Sequence, residues 1–232
     1  MNADPNYSHD GADEVLRTVK AHKEEAKLFR DDGDLEGAVD VLEEAIALLK
    51  PIAPSATTSD SLTDGQKQAA WNLADTLGML GGNYRRMGKL EDALQSFEEG
   101  RSYEENTRFG IESTYNLVNA ITLPIEMGKR TATEQKTSLL SALNALERAT
   151  SGPRRLDRWA WADLGQTALL AGDLKRAKEA YSRFSEMGDA TSISSHVTIL
   201  QRLNDALAGR DPDAAAGLEE GIEFLERKGS TS

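Results

Sequence analysis

The sequence predicts an all-α fold, an α-solenoid of about five antiparallel helix hairpins. Three observations predict it. One register of small and large apolar residues recurs along the chain. A glycine punctuates each copy, at positions 33, 88, 128, 172 and 209. Between these glycines the apolar residues follow helical spacing, and no stretch reads convincingly as a strand.

The first hairpin runs Ala26, Phe29, Gly33, Ala38, Leu42 and Ala45, with Pro51 just past its end. Its leading helix continues the stripe Val15, Val19, His22, Ala26, Phe29, which places His22 at the hairpin contact. The second copy is the fullest: Leu77, Leu80, Gly81, Tyr84, Gly88, Ala93, Phe97 and Gly100. The third, residues 114 to 149, has Gly128 at its turn and Pro124 late in its first helix, where a proline removes a hydrogen bond and favours a kink. The fourth repeats the register of the second as Trp161, Leu164, Gly165, Ala168, Gly172, Ala177, Tyr181 and Phe184. In the fifth, Gly209 precedes Asp211 and Pro212, a cap and a first-position proline, and then Ala214, Leu218 and Gly221 share one face.

Each turn glycine sits where a helix must stop and reverse, a place that favours a left-handed backbone. Asp34 and Asp173 follow two of them and are positioned to cap the next helix. Gly81, Gly165 and Ala26 let the paired helices approach closely, while Phe29, Tyr84, Phe97 and Tyr181 fill the space between them. The expected organisation is a single domain over 11–228 with an exposed Pro/Ser/Thr-rich loop at 51–65 and disordered ends at 1–10 and 229–232.

This register resembles the tetratricopeptide repeat, whose pattern is W-x2-L-G-x2-Y, a turn glycine, then A-x3-F and often a proline. The resemblance implies a right-handed superhelix in which the first helix of every hairpin lines a concave groove that binds protein or peptide. Separations of 55, 40, 44 and 37 between turn glycines all exceed the repeat length, so the excess falls in the connections.

The stretch LGMLGGNYRRMGKL, 77–90, looks like a phosphate loop, but five residues separate Gly82 from Gly88 where such a loop has four, and Leu90 stands where a metal-binding hydroxyl is needed. A nucleotide is therefore not expected. Cysteine is absent, which excludes a thiol nucleophile, thiolate metal site or disulfide framework. His9, His22 and His196 are far apart and outside any H-x3-H arrangement, so no metal or cofactor is expected. Paired carboxylates such as Glu43-Glu44, Glu98-Glu99 and Glu219-Glu220 read as solvated faces. With no nucleophile elbow either, the expectation is that the chain is not an enzyme. A net charge of -12 disfavours nucleic acid, and no apolar run is long enough for a membrane span. The N-terminus lacks a cationic start followed by an apolar run, so a cytoplasmic protein is expected.

Against that acidic balance, Arg17, Lys20, Lys23, Lys27 and Arg30 recur at spacings of 3, 3, 4 and 3, one helical face. If that face lines the groove, it suits an acidic segment or a chain-terminal carboxylate, with Arg85 and Arg86 extending the positive rim. Gly78 and Gly82 lie four residues apart on the same expected groove face and would leave a trough for a partner's backbone. Tyr115, Asn119 and Thr122, then Trp159, Asp163 and Gln166, are expected to continue the lining, ordinary hairpin packing beside Trp161 being the alternative for Trp159. Tetratricopeptide domains that clamp a terminal carboxylate carry lysine and asparagine at positions held here by Lys23 and Lys27, so the lysine half alone is matched; at the next copy these positions are Gly78 and Gly82.

The stretches STYNLVNAITLPIEMG and WAWADLGQTALLAGDLKRAKEAYSRF are also similar to the TRAF-binding helical-repeat region of stress-kinase regulators, a region shared with bacterial signalling and conflict proteins. That resemblance implies a regulatory or defence setting. The function expected is a non-catalytic interaction scaffold or adaptor, the alternatives being a small-molecule or signal-peptide sensor and a self-associating subunit such as a homodimer.

Overall fold

The computed structural model describes residues 9–229. Among them are ten α-helices, one 3-10 turn and no strand. In chain order these are α1 (His9–Asp31), α2 (Leu35–Leu49), α3 (Asp64–Arg86), α4 (Leu90–Glu105), the 3-10 turn Thr107–Phe109, α5 (Tyr115–Glu126), α6 (Lys136–Ser151), α7 (Arg158–Ala171), α8 (Leu174–Met187), α9 (Ala190–Leu207) and α10 (Pro212–Gly229). The expectations for residues 1–8 and 230–232 lie outside the described residues, while His9, Asp10 and Gly229 belong to helices. The chain divides into two compact units, Met1–Ile111 and Glu112–Ser232.

The repeat register is realised as read. Gly33, Gly88, Gly128, Gly172 and Gly209 all have positive φ, between 67° and 85°, and each ends the first helix of a pair. Asp34 and Asp173 cap α2 and α8, accepting from the Gly37 and Arg176 amides at 2.9 and 3.0 Å. A β-carbon added at Gly81 would stand 2.7 Å from the Phe97 ring, so here the absence of a side chain is what lets α3 and α4 close on a buried aromatic. The same small-against-large contact joins α7 and α8 through Gly165 and Tyr181. These are the antiparallel helix hairpins that the repeat register predicts.

In the first unit α1 packs on α2, α2 on α3 and α3 on α4, around Val19, Leu42, Leu49, Leu73 and Leu77. The connection from α2 to α3 is built into this core. Ile52, Ala53, Ala56 and Leu62 pack against it, and the Asn106 side-chain amide donates to the carbonyls of Ala56 and Thr58 at 2.8 and 3.3 Å. Its Ser and Thr side chains at 55, 57, 59 and 61 are the exposed part. Thr63 and Gln66 then start α3 with a reciprocal capping box.

The second unit gathers α5 to α10 around Ile121, Ile125, Leu143, Leu146, Tyr181 and Leu200. Every residue of α5 from Asn116 to Ile125, Pro124 included, is buried. A helix covered all round needs neighbours beyond its hairpin partner. It touches α6 only lightly and packs more extensively on α9, while α10 lies against α7 and α8. The turn regions follow the same pairing: Glu126 faces Arg202 at 3.7 Å, and the Asp211 carboxylate accepts the Thr133 amide at 2.8 Å instead of capping α10.

Candidate functional site

The basic face of α1 and one face of α3 enclose a cleft of about 530 Å³ in the first unit. From α1 come Leu16, Lys20, Lys23, Glu24, Lys27 and Arg30; from α3 come Gln68, Trp71, Asn72, Asp75 and Met79. Both helices are 23 residues long, eight more than α2, so they extend well beyond the hairpin register and present a wall of several turns.

Four cations and two carboxylates line this cleft, a local excess of positive charge in a chain of net charge -12. The cations differ in what holds them. Lys23 is buried; its ammonium lies 2.5 Å from the Asp75 carboxylate and 3.4 Å from the Asn72 side-chain oxygen, with the Trp71 ring centroid at 5.1 Å. Lys27 pairs with Glu24 at 2.7 Å, and Arg30 with Asp31 at 2.8 Å. The hydrogen bond from Lys27 and its charge hold the Glu24 carboxyl below its ordinary range, with Lys20 and Lys23 adding to the same field. Lys20 is exposed and has no ion pair among the described residues. Trp71, 42% exposed, offers an aromatic surface between these charges, flanked by Leu16 and Met79.

Lys20, Lys23, Lys27 and Arg30 are therefore brought together as the sequence spacing suggests, whereas Arg17 is not among the lining residues. Further along α3, Gly78 and Gly82 are buried, Arg85 is half-buried, and Arg86 is exposed and donates to the Gly82 carbonyl at 3.2 Å. Neither glycine lines the cleft.

In the second unit, Asn119 and Gln166 are buried, at 6% and 5% exposure, and Asp163 is half-buried. The Asn119 side-chain amide donates to the Tyr115 carbonyl at 2.8 Å, and Thr122 bonds back to the Val118 carbonyl at 2.9 Å, so both amide and hydroxyl serve their own helix. Tyr115 and Trp159 are each 41% exposed. Trp159 also packs on Phe184, ring centroids 5.8 Å apart, with Arg158 over its ring at 5.5 Å. His196 is a core histidine here: it contacts the Tyr181 and Phe184 rings edge-on and lies 3.3 Å from the Tyr181 hydroxyl.

The α3 wall is what sequence reasoning missed. Gln68, Trp71, Asn72, Asp75 and Met79 recur at spacings of 3, 1, 3 and 4, a helical face as regular as the basic one. The repeat register begins only at Leu77, so the preceding turns of α3 fell outside the matched pattern.

Among the described residues no cluster of three or more potential metal ligands occurs, and no helix is long and apolar enough to cross a membrane. No family model matches the chain, and no curated protein matches it. Among solved structures it is similar to MamA from Desulfovibrio magneticus RS-1, at 16% identity over 90% of this chain and 96% of that one, TM-score 0.42. It is similar to a putative kinesin light chain of Podosopora anserina with nearly identical TPR-like repeats, at 14% identity over 94% and 99%, TM-score 0.47. A third similarity is to YrrB, described as a TPR protein with an unusual peptide-binding site, at 16% identity over 95% and 100%, TM-score 0.40.

Proposed function

We propose that the chain is a non-catalytic protein-interaction module whose α1–α3 cleft binds an acidic segment of a partner protein. The observation that carries this reading is Trp71. A half-exposed tryptophan in a cleft of about 530 Å³, with Lys20, Lys27 and Arg30 around it, combines an apolar platform with positive charge in an otherwise acidic molecule. Aromatic anchors supply contact area at low entropic cost, and the surrounding cations select for carboxylates and raise the encounter rate. In the second unit Tyr115 and Trp159, each 41% exposed, are further aromatic groups open to contact.

Fluorescence anisotropy of the labelled peptide acetyl-Glu-Leu-Asp-Glu-Leu-Asp-amide tests it, with the Gln/Asn counterpart as control. Saturable binding of the acidic peptide that weakens with salt supports the reading. Equal binding of both peptides, or of neither, sinks it.

A further inference from the structure

Lys23 is the least accessible cation of the cleft, its side chain 11% exposed, and its ammonium is already held. The Asp75 carboxylate at 2.5 Å, the Asn72 oxygen at 3.4 Å and the Trp71 ring at 5.1 Å all come from α3. An ammonium has three N–H donors, so these contacts leave little of it for an incoming group. The two members of the ion pair are unequally placed. Asp75 is 44% exposed on the cleft wall, whereas Lys23 is buried beneath it. Rotation of the Asp75 side chain toward solvent would leave its carboxylate hydrated, but it would strand the buried ammonium unless another anion arrived.

We infer that Asp75 is a resident stand-in for the partner's acidic side chain: it occupies the seat at Lys23 in the unbound chain, and a carboxylate of the bound segment displaces it. The inference rests on the cleft being the docking site. Exchanging one carboxylate for another preserves the charge pairing at Lys23, so an acidic segment can enter without stranding the ammonium. A neutral segment offers no such exchange and is refused. Asp75 thereby tempers the affinity of the cleft for acidic segments, because it repels each arriving carboxylate until one takes its place. Glu24 does not play this part. Its pair with Lys27 lies within α1, and both side chains are substantially exposed.

The test compares the full chain with its Asp75→Asn variant, using the same acidic peptide in anisotropy. The variant should bind about five- to tenfold more tightly, the effect of removing one like charge beside an arriving carboxylate. Adding Lys23→Met to Asp75→Asn should erase that gain. A silent wild type beside a binding Asp75→Asn variant overturns the displacement, because in the unaltered chain no carboxylate then takes the seat. If the wild type binds and Asp75→Asn binds equally or more weakly, the stand-in role is overturned while the cleft reading survives. If neither binds, both fall. A readout in the unaltered chain guards against a misfolded variant: on saturation with peptide, the Asp75 side-chain carboxyl carbon should move toward its solvent-exposed NMR shift, and an unmoved signal overturns the inference.

Discussion

The ring of Tyr181 lies so close to the backbone of Gly165 that any side chain at that position would overlap it. Tyr181 is fully buried and cannot turn aside. Gly165→Ala should therefore lower stability by about 1–3 kcal/mol through overpacking, outweighing the gain of about 1 kcal/mol in helix propensity. Gly33→Ala should also destabilise, by about 1–2 kcal/mol, for a different reason: nothing lies within 4 Å of the added carbon, but φ is +85°. Urea unfolding measures both. A stabilised Gly165→Ala would mean that the hairpin tolerates wider spacing than the structure shows.

The Tyr84 hydroxyl donates to the Glu43 carboxylate at 2.5 Å, joining α3 to α2. Burial, then the hydrogen bond and charge of Glu43, push the phenol well above its ordinary value. A group whose pKa is raised on folding contributes stability that is present below its unfolded value, about 10, and lost as pH rises beyond it. Melting temperature should thus fall above about pH 10. In Tyr84→Phe that alkaline slope should be shallower, though not abolished, because burial also raises Tyr103 and Tyr181. An identical slope in the variant would remove Tyr84 from the account.

Charge reversal should separate binding from folding within the basic face. Lys20 and Lys27 are solvent-accessible, so Lys20→Glu with Lys27→Glu should abolish acidic-peptide binding while changing stability by less than about 1 kcal/mol. Lys23→Glu should instead place two carboxylates together and cost about 1–3 kcal/mol, less than a fully buried pair because Asp75 is 44% exposed. Unfolding and anisotropy on the same samples decide it. Peptide affinity undiminished in the double variant would rule out the cleft.

Asn106 holds the α2–α3 connection by two hydrogen bonds to its backbone. Asn106→Ala should cost about 1–3 kcal/mol, since two carbonyls lose their donor, and should speed protease cleavage between 54 and 61. Mass spectrometry of the first fragments locates the cut. Cleavage at the wild-type rate would show that the apolar residues alone secure the segment.

The fold was legible because its punctuation is local. A glycine with φ near +80° followed by a capping aspartate, as at Gly33-Asp34 and Gly172-Asp173, leaves a mark within two residues. The basic face of α1 was legible for the same reason, as one helix read along its own period. Its partner wall was not, because Trp71 and Asp75 stand in the turns of α3 ahead of the repeat register and mean nothing until α1 is laid beside them. Asn119 and Gln166 show the converse. Polar residues at outward-looking positions of a hairpin are buried when α5 must be covered on every side, a demand set by distant helices.

The docking of α9 on α5 has a kinetic consequence. Thr133 and Asp211, which meet at one end of this arrangement, are 78 residues apart in sequence. A stack whose hairpins touch only their neighbours can zip from any point, each addition closing a short stretch of chain. The second unit cannot complete itself that way. Its third and last hairpins must find one another across a long loop, and the entropy of closing it is spent before the contact rewards it. Residues 190–229 are therefore the key to its assembly rather than an appendage, and a chain emerging from synthesis would hold the largely apolar α5 uncovered until they arrive.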